Sequence, residues 1–186
     1  LFVASLDANS GILNWVTTAG GIGDEEGGPV SVDSMGTIWQ AGTTSGTFSA
    51  NGKSHQAVSQ ADTVVIKWSA QGVVQDVIGL SSAASEINLP HDLIVTQTDD
   101  IVVSGVFLGS LDAGNQNTLS DKGNGDGYVV KLLKSGASSW ATSAGGSSSL
   151  ERVYSIAETS NGDFIAGGMI GGSADFGIHV TNTNGG

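Results

Sequence analysis

The chain has 186 residues, 39% of them hydrophobic and none of them cysteine, so the length suits one domain, and disulfides and thiolate metal sites are excluded. Eighteen acidic residues against six basic ones give a formal net charge of −12, which repels phosphate backbones and anionic lipid and excludes nucleic acid as a partner. No apolar run approaches the roughly 20 residues of a membrane-spanning helix, so no membrane insertion is expected.

The first predicted strand runs from Phe2 to Leu6, and the turn Asn9-Ser10-Gly11 leads to a second from Leu13 to Thr18. A glycine-rich connection over residues 20–28 precedes short strands at Val30 to Val32 and Thr37 to Ala41, separated by the turn over 33–36. Short β-type runs between turn residues read as an antiparallel meander rather than as helices. The 29 glycines are explained by such turns, where glycine supplies positive φ and Asp or Asn bonds to nearby backbone. The segment Gly46-Thr47-Phe48-Ser49-Ala50 follows, expected either to extend the outer strand or to fold back over the sheet edge.

This pattern repeats. The opening strand Leu1 to Leu6 returns as Thr63 to Trp68 and again as Gly127 to Leu132. Gly42, Gly105 and Gly168 stand 63 residues apart, as do Gly46, Gly109 and Gly172, which precede Thr47, Ser110 and Ser173. Trp15 and Gly20-Gly21 match Trp140 and Gly145-Gly146, whereas the middle copy has Asp76 and Ser81-Ser82 at those places. Three copies are therefore delimited, over residues 1–62, 63–126 and 127–186.

Four short antiparallel strands in about 60 residues suit the blade of a β-propeller, and an all-β fold with three such blades is expected; a sandwich of about a dozen strands is the alternative. Three blades do not close a ring, since propellers use about four to eight. Partners are therefore expected to be further blades of the same protein or neighbouring chains, the first strand of one completing the last blade of another. Residue 1 falls in an apolar strand and the chain ends at Asn184-Gly185-Gly186, where the next opening strand is due. That register leads to the expectation of a piece cut from a longer array.

The string Phe2-Val3-Ala4-Ser5-Leu6-Asp7, then Gly11-Ile12-Leu13-Asn14-Trp15, Gly20-Gly21, Val30-Ser31-Val32-Asp33 and Ala41-Gly42-Thr43-Thr44 resembles the repeat of the SBBP family, the seven-bladed β-propeller type. Tyr128 to Leu132, Ser139-Trp140-Ala141, Gly145-Gly146 and Asn161 to Gly168 carry the same resemblance in the third copy. It implies a β-propeller in large, mostly secreted or surface-exposed proteins, usually without an assigned catalytic residue.

Calcium is the one cofactor the residue types invite, since hard cations take carboxylate and carbonyl oxygens. The candidates are Asp24, Glu25 and Glu26 after a Gly-Gly turn, and Asp121, Asn124 and Asp126 in the glycine-flexed loop Asp121-Lys122-Gly123-Asn124-Gly125-Asp126. Neither has the alternation and distal Glu of an EF-hand, and a solvated acidic turn is the preferred reading of both. Asp7, Gly11 and Trp15 resemble part of the tryptophan-docking repeat of quinoprotein dehydrogenases, yet a turn Asp, a hairpin Gly and a core Trp fit better. The segment Ser31 to Trp39 is similar to an Asp-box turn, which is itself a structural hairpin, and a single arginine, Arg152, does not form the cluster a sialidase needs.

His55, His91 and His179 occupy unlike places in their copies, and no set of nucleophile, base and orienting group assembles, so no catalytic residue is assigned. Trp15, Trp39, Trp68 and Trp140 are expected to pack between blades rather than stack on sugars. The functional expectation is a non-enzymatic structural or adhesive module, extracellular or at the cell surface, making protein and possible glycan contacts. The alternative is a propeller enzyme or a cofactor- or carbohydrate-binding domain with its site at the central channel.

Overall fold

A computed structural model of the chain describes residues 1–82, 86–147, 150–177 and 180–182. His179, Ser148, Ser149 and the segment Asn184-Gly185-Gly186 lie outside the described residues. Among the described residues the fold is all-β, with 63% of them in strands, no helix, and several antiparallel sheets of which none is closed. The strands of the first half are β1 (Phe2–Leu6), β2 (Leu13–Thr18), β3 (Gly20–Ile22), β4 (Glu25–Val32), β5 (Ile38–Thr44), β6 (Thr47–Ala50), β7 (Lys53–Gln56), β8 (Asp62–Trp68) and β9 (Val74–Ser82). Those of the second half are β10 (Asn88–Val95), β11 (Ile101–Phe107), β12 (Ser110–Asp112), β13 (Thr118–Ser120), β14 (Asp126–Leu132), β15 (Ser138–Ala144), β16 (Arg152–Glu158), β17 (Phe164–Met169), β18 (Ser173–Asp175) and β19 (Val180–Asn182).

The repeat is present, but its strands are grouped across the boundaries read from the sequence. One antiparallel run is β4-β5-β8-β9 and the next is β10-β11-β14-β15, so each draws its first two strands from one 63-residue copy and its last two from the copy after it. β1-β2 and β16-β17 stand as separate two-stranded sheets, the first matching the last two strands of the unit and the second matching its first two. Sequence spacing locates strands but does not say which of two equal-length connections closes a hairpin. The stretch 20–28, expected to be a loop, contains β3 and the start of β4.

The tail after each second strand is a hairpin that clasps two sheets together. In the first copy β6-β7 pairs with β3, which is separated from β2 by one residue, through Gly21↔Phe48, and in the second β12-β13 pairs with β9 through Leu111↔Ser82. In the third, Gly145 bridges Asp175 of β18. Each clasp drives one apolar side chain inward: Phe48, Leu111 and Ala174 are all 0% exposed. The tip is tied to its own sheet by the same bond twice, Asn51 Nδ2 to the Val74 carbonyl (2.8 Å) and Asn115 Nδ2 to the Ser138 carbonyl (2.9 Å). Both asparagines have positive φ, 49° and 52°, a conformation that Asn tolerates better than most residues.

The repeat glycines mark a β-bulge. The register slips between Gly27 and Val30 opposite Gly42, between Pro90 and Asp92 opposite Gly105, and between Val153 and Ser155 opposite Gly168. A bulge puts two residues against one and bends the strand. Here it presses a carbonyl onto the facing Cα: a Cβ on any of the three glycines would come closer than 3.0 Å to the oxygen of Glu26, Leu89 or Arg152 respectively. Gly46 and Gly109 serve the clasp entries instead, packed against the Ile22 carbonyl and the Glu86 carboxylate.

The main core lies between the two full sheets, where Trp39, Ala41 and Val65 of one meet Leu93, Val103, Tyr128 and Val130 of the other. A second cluster joins Val3 and the half-buried Trp15 to Ile38, Phe48 and Trp68, and a third joins Val102 and Val129 to Ile156. Trp39 and Trp68 are fully buried, and Trp140 meets Phe164 of the following sheet at 5.9 Å between ring centroids. The tryptophans therefore fill space within and between sheets.

Candidate functional site

The acidic candidates do not come together as a set. Glu25 and Glu26 are neighbours on β4 and so project to opposite faces, with Glu25 taking a bond from Thr44 Oγ1 (3.4 Å). Asp24 is exposed and its backbone pairs with Ser45. In the second loop Asp121 accepts from the Gly109 N–H (2.9 Å), Asn124 is exposed, and Asp126 is fully buried. Among the described residues no group of three or more His, Asp and Glu side chains is placed to hold a metal ion.

Asp126 gains its meaning from Asp62, which holds the same position one copy earlier. The Asp62 carboxylate is fully buried and receives four donors: His55 Nε2 (2.9 Å), the Val58 N–H (3.1 Å), the Ser82 N–H (3.2 Å) and Ser59 Oγ. Burial alone would raise its pKa, but these bonds, led by His55, outweigh burial and hold it at about 2. The next copy has Leu119 where His55 stands and Gly123 where Ser59 stands. The Gly146 N–H that matches Ser82 is turned to Glu151 Oε2 (3.1 Å). Among the described residues Asp126 therefore keeps only the Lys122 N–H (3.2 Å), and its Oδ2 is buried with no partner there. Burial, with the nearby charges of Asp121 and Glu151, raises its pKa.

A buried polar link crosses the junction between the two full sheets. Thr63 Oγ1 donates to the Asn88 carbonyl (3.0 Å) and lies 3.4 Å from the Tyr128 hydroxyl, while Asn88 Nδ2 donates to the Leu80 carbonyl (2.8 Å). Burial pushes the Tyr128 phenol well above its usual range, so it stays protonated and able to donate. The hairpin tips are joined in the same sense. The Ser34 N–H and Oγ both donate to Asp99 (2.9 and 2.6 Å), and the Gln97 N–H donates to Glu158 (2.7 Å).

The other polar candidates serve turns. Asp33 of the Asp-box-like segment accepts from the Met35 and Thr37 N–H groups (2.9 and 2.8 Å), and Asp7 accepts from the Asn9 and Ser10 N–H groups. His91 Nδ1 lies 3.0 Å from the Val153 carbonyl and its ring packs on Tyr154. Asp62, Asn88, Glu86 and Glu151 were not singled out by sequence reasoning. The only signal for Asp62 is its alignment with Asp126 one copy on, which the repeat makes visible.

An apolar groove of about 680 Å³ between β1 and β4 is open to a partner. It is lined by Phe2, Leu6, Trp15, Val30, Val32 and Ile38 among others, and no Asp, Glu, His, Lys or Arg contributes to it. Among the described residues β1 pairs only with β2 and β17 only with β16, so one edge of each is left without a strand partner. Both ends carry apolar side chains in water: Phe2, Leu6, Val30 and Val32 on one, Ile165, Met169 and Phe176 on the other. Edges and patches of this kind are sites of association. In comparisons with known proteins, no family model matches this chain and no curated protein matches it.

Proposed function

We propose that this chain is a non-enzymatic structural module of the β-propeller type, working at the cell surface or outside the cell by holding further repeat units or neighbouring chains through its sheet faces and strand edges. One comparison within the molecule carries the reading. Leu93 of β10 is 3% exposed because it packs on the preceding sheet, whereas Val30, at the same position of β4, is 54% exposed beside the groove. A position that is core in one copy and bare in another marks a surface built for a neighbour of the same kind. The strongly acidic surface, with a net charge of −12, keeps such a module from non-specific association with anionic polymers. The extracellular or surface placement rests on the resemblance to the SBBP repeat.

The test is the molar mass of the 186-residue chain in solution, followed by light scattering over a rising concentration series. Association above the 18.6 kDa of one chain is expected. A single-chain mass at every concentration up to the millimolar range would sink the reading.

A further inference from the structure

We propose that the β16-β17 hairpin of a second copy of this chain fills the groove beside β1, adding to the free edge of β1 with Gly168 opposite Phe2 and Ala166 opposite Ala4. This deepens the reading of the chain as an assembly module and rests on it.

The register comes from the molecule itself. β5 pairs with β8 through Gly42↔Val64 and Gln40↔Ile66, and β11 pairs with β14 through Gly105↔Tyr128 and Val103↔Val130. Stepping each pair by one copy gives Gly168 with Phe2 and Ala166 with Ala4. The bulge on the far side of the receiving strand repeats as well, between Lys67 and Trp68, Lys131 and Leu132, and Ser5 and Leu6. β1 therefore has the shape of β8 and β14, which both receive an inner hairpin.

Hydrogen bonding agrees. The Leu1 amine donates to the Ala19 carbonyl and the Ala19 N–H donates back to the Leu1 carbonyl (3.0 and 3.1 Å). Leu1 and Ala19 are thus a bonded pair, and by the alternation of antiparallel ladders Phe2 and Ala4 turn their N–H and C=O groups away from β2. These are the groups an added strand would take. The Phe2 carbonyl is held meanwhile by Gln40 Nε2 (2.9 Å), a side-chain stand-in that a backbone donor can displace.

Side-chain packing agrees too. Leu93 packs on the sheet that carries Trp39 and Ala41. One copy back from Leu93 is Val30, and two copies on from Trp39 is Ile165, exposed at 54% and 63%. Seating the hairpin brings these bare positions together as Leu93 and Trp39 are brought together inside the chain. A hairpin given by each copy to the other makes two new four-stranded sheets. With the two complete sheets of each chain they make six, a number within the range of closed propellers, and the two-fold exchange leaves neither the free edge of β1 nor that of β17 without a strand partner.

The absence of cysteine makes the test clean. Ala4→Cys and Ala166→Cys are made as separate chains and also together in one chain. Opposed residues in a bonded antiparallel pair lie about 5.5 Å apart at Cα, within disulfide range. Under mild oxidation a mixture of the two single variants is expected to give a covalent dimer, and the doubly substituted chain a covalent dimer with both links. Each single variant alone is expected to stay uncrosslinked, because residue 4 of one copy faces residue 166 of the other and neither faces its own counterpart. A mixture of Val16→Cys with Ala166→Cys is the control: Val16 faces Ala4 from β2, about one further strand spacing away, and no link should form. If the wild-type chain associates in solution but Ala4→Cys and Ala166→Cys link no better than this control, the pairing falls and the assembly reading stands. If the wild-type chain is monomeric at every concentration, both fall.

Discussion

Asp62 and Asp126 occupy one position in successive copies, yet the first carboxylate is met by four donors and the second by one. Their contributions to stability therefore run in opposite directions with pH. The pKa of Asp62 is depressed to about 2, so its stabilisation is present above the ordinary carboxylate pKa and lost as pH falls toward 2. Asp62→Asn should cost about 2 kcal/mol at pH 7, a deficit that narrows as urea melts are repeated at lower pH. The pKa of Asp126 is raised, so its favourable contribution is present at low pH and lost as pH rises through that pKa. Asp126→Asn should be neutral or stabilising at pH 7, with the advantage over wild type disappearing in acid. Parallel pH trends for the two variants would contradict this assignment.

The bulge glycines should be intolerant in proportion to the pressure on them. A Cβ at Gly105 would meet the Leu89 carbonyl and the Tyr128 ring closer than 3.0 Å, whereas one at Gly167 would meet nothing within 4 Å. Gly105→Ala is expected to lower stability by about 2 kcal/mol or more, in the range of overpacked cores. Gly167→Ala should stay within about 0.5 kcal/mol of wild type, as surface substitutions do. Thermal melts of the pair provide the comparison, and equal midpoints would remove the bulge from the account of why glycine recurs every 63 residues.

Clasp side chains should behave as core. Phe48 and Leu111 are 0% exposed although their strands have only 4 and 3 residues. Phe48→Ala is expected to cost about 3–5 kcal/mol and Leu111→Ala about 2–5 kcal/mol. Hydrogen exchange should show the loss on both sheets that the clasp joins, β9 as well as β12 for Leu111→Ala. Loss confined to the hairpin would show that the clasp covers the sheet without coupling it.

Charges in the groove should separate folding from assembly. Val30 and Val32 are 54% and 57% exposed, so Val30→Asp with Val32→Asp removes little buried surface from the single chain. The melting temperature measured at high dilution should change little, while association by light scattering should weaken by at least tenfold. Unchanged association would place the contact elsewhere.

The strands, their antiparallel sense and the 63-residue period were legible because glycine, tryptophan and apolar runs recur in step. Gly42, Gly105 and Gly168 all lie opposite a bulge, and the tail segment, read as either extending the outer strand or folding back over the sheet edge, forms a hairpin that pairs with β3 in the first copy and with β9 in the second. The pairing of those strands was not legible. Five residues join Trp68 to Val74 within one sheet and five join Ser82 to Asn88 between two sheets, so length alone does not say which connection closes a hairpin. The Asp62 network was hidden for a related reason, since His55, Ser59 and Ser82 come from three segments that only the clasp brings together. The acidic runs stood out in the sequence for their density, but density says nothing about direction, and adjacent residues such as Glu25 and Glu26 point apart.

The clasps have a mechanical consequence. Each hairpin is laced by short ladders, three residue pairs between β3 and β6 and two between β9 and β12, across the boundary between neighbouring sheets. A load that parts neighbouring sheets must therefore break these small fasteners as well as the packed core between their faces.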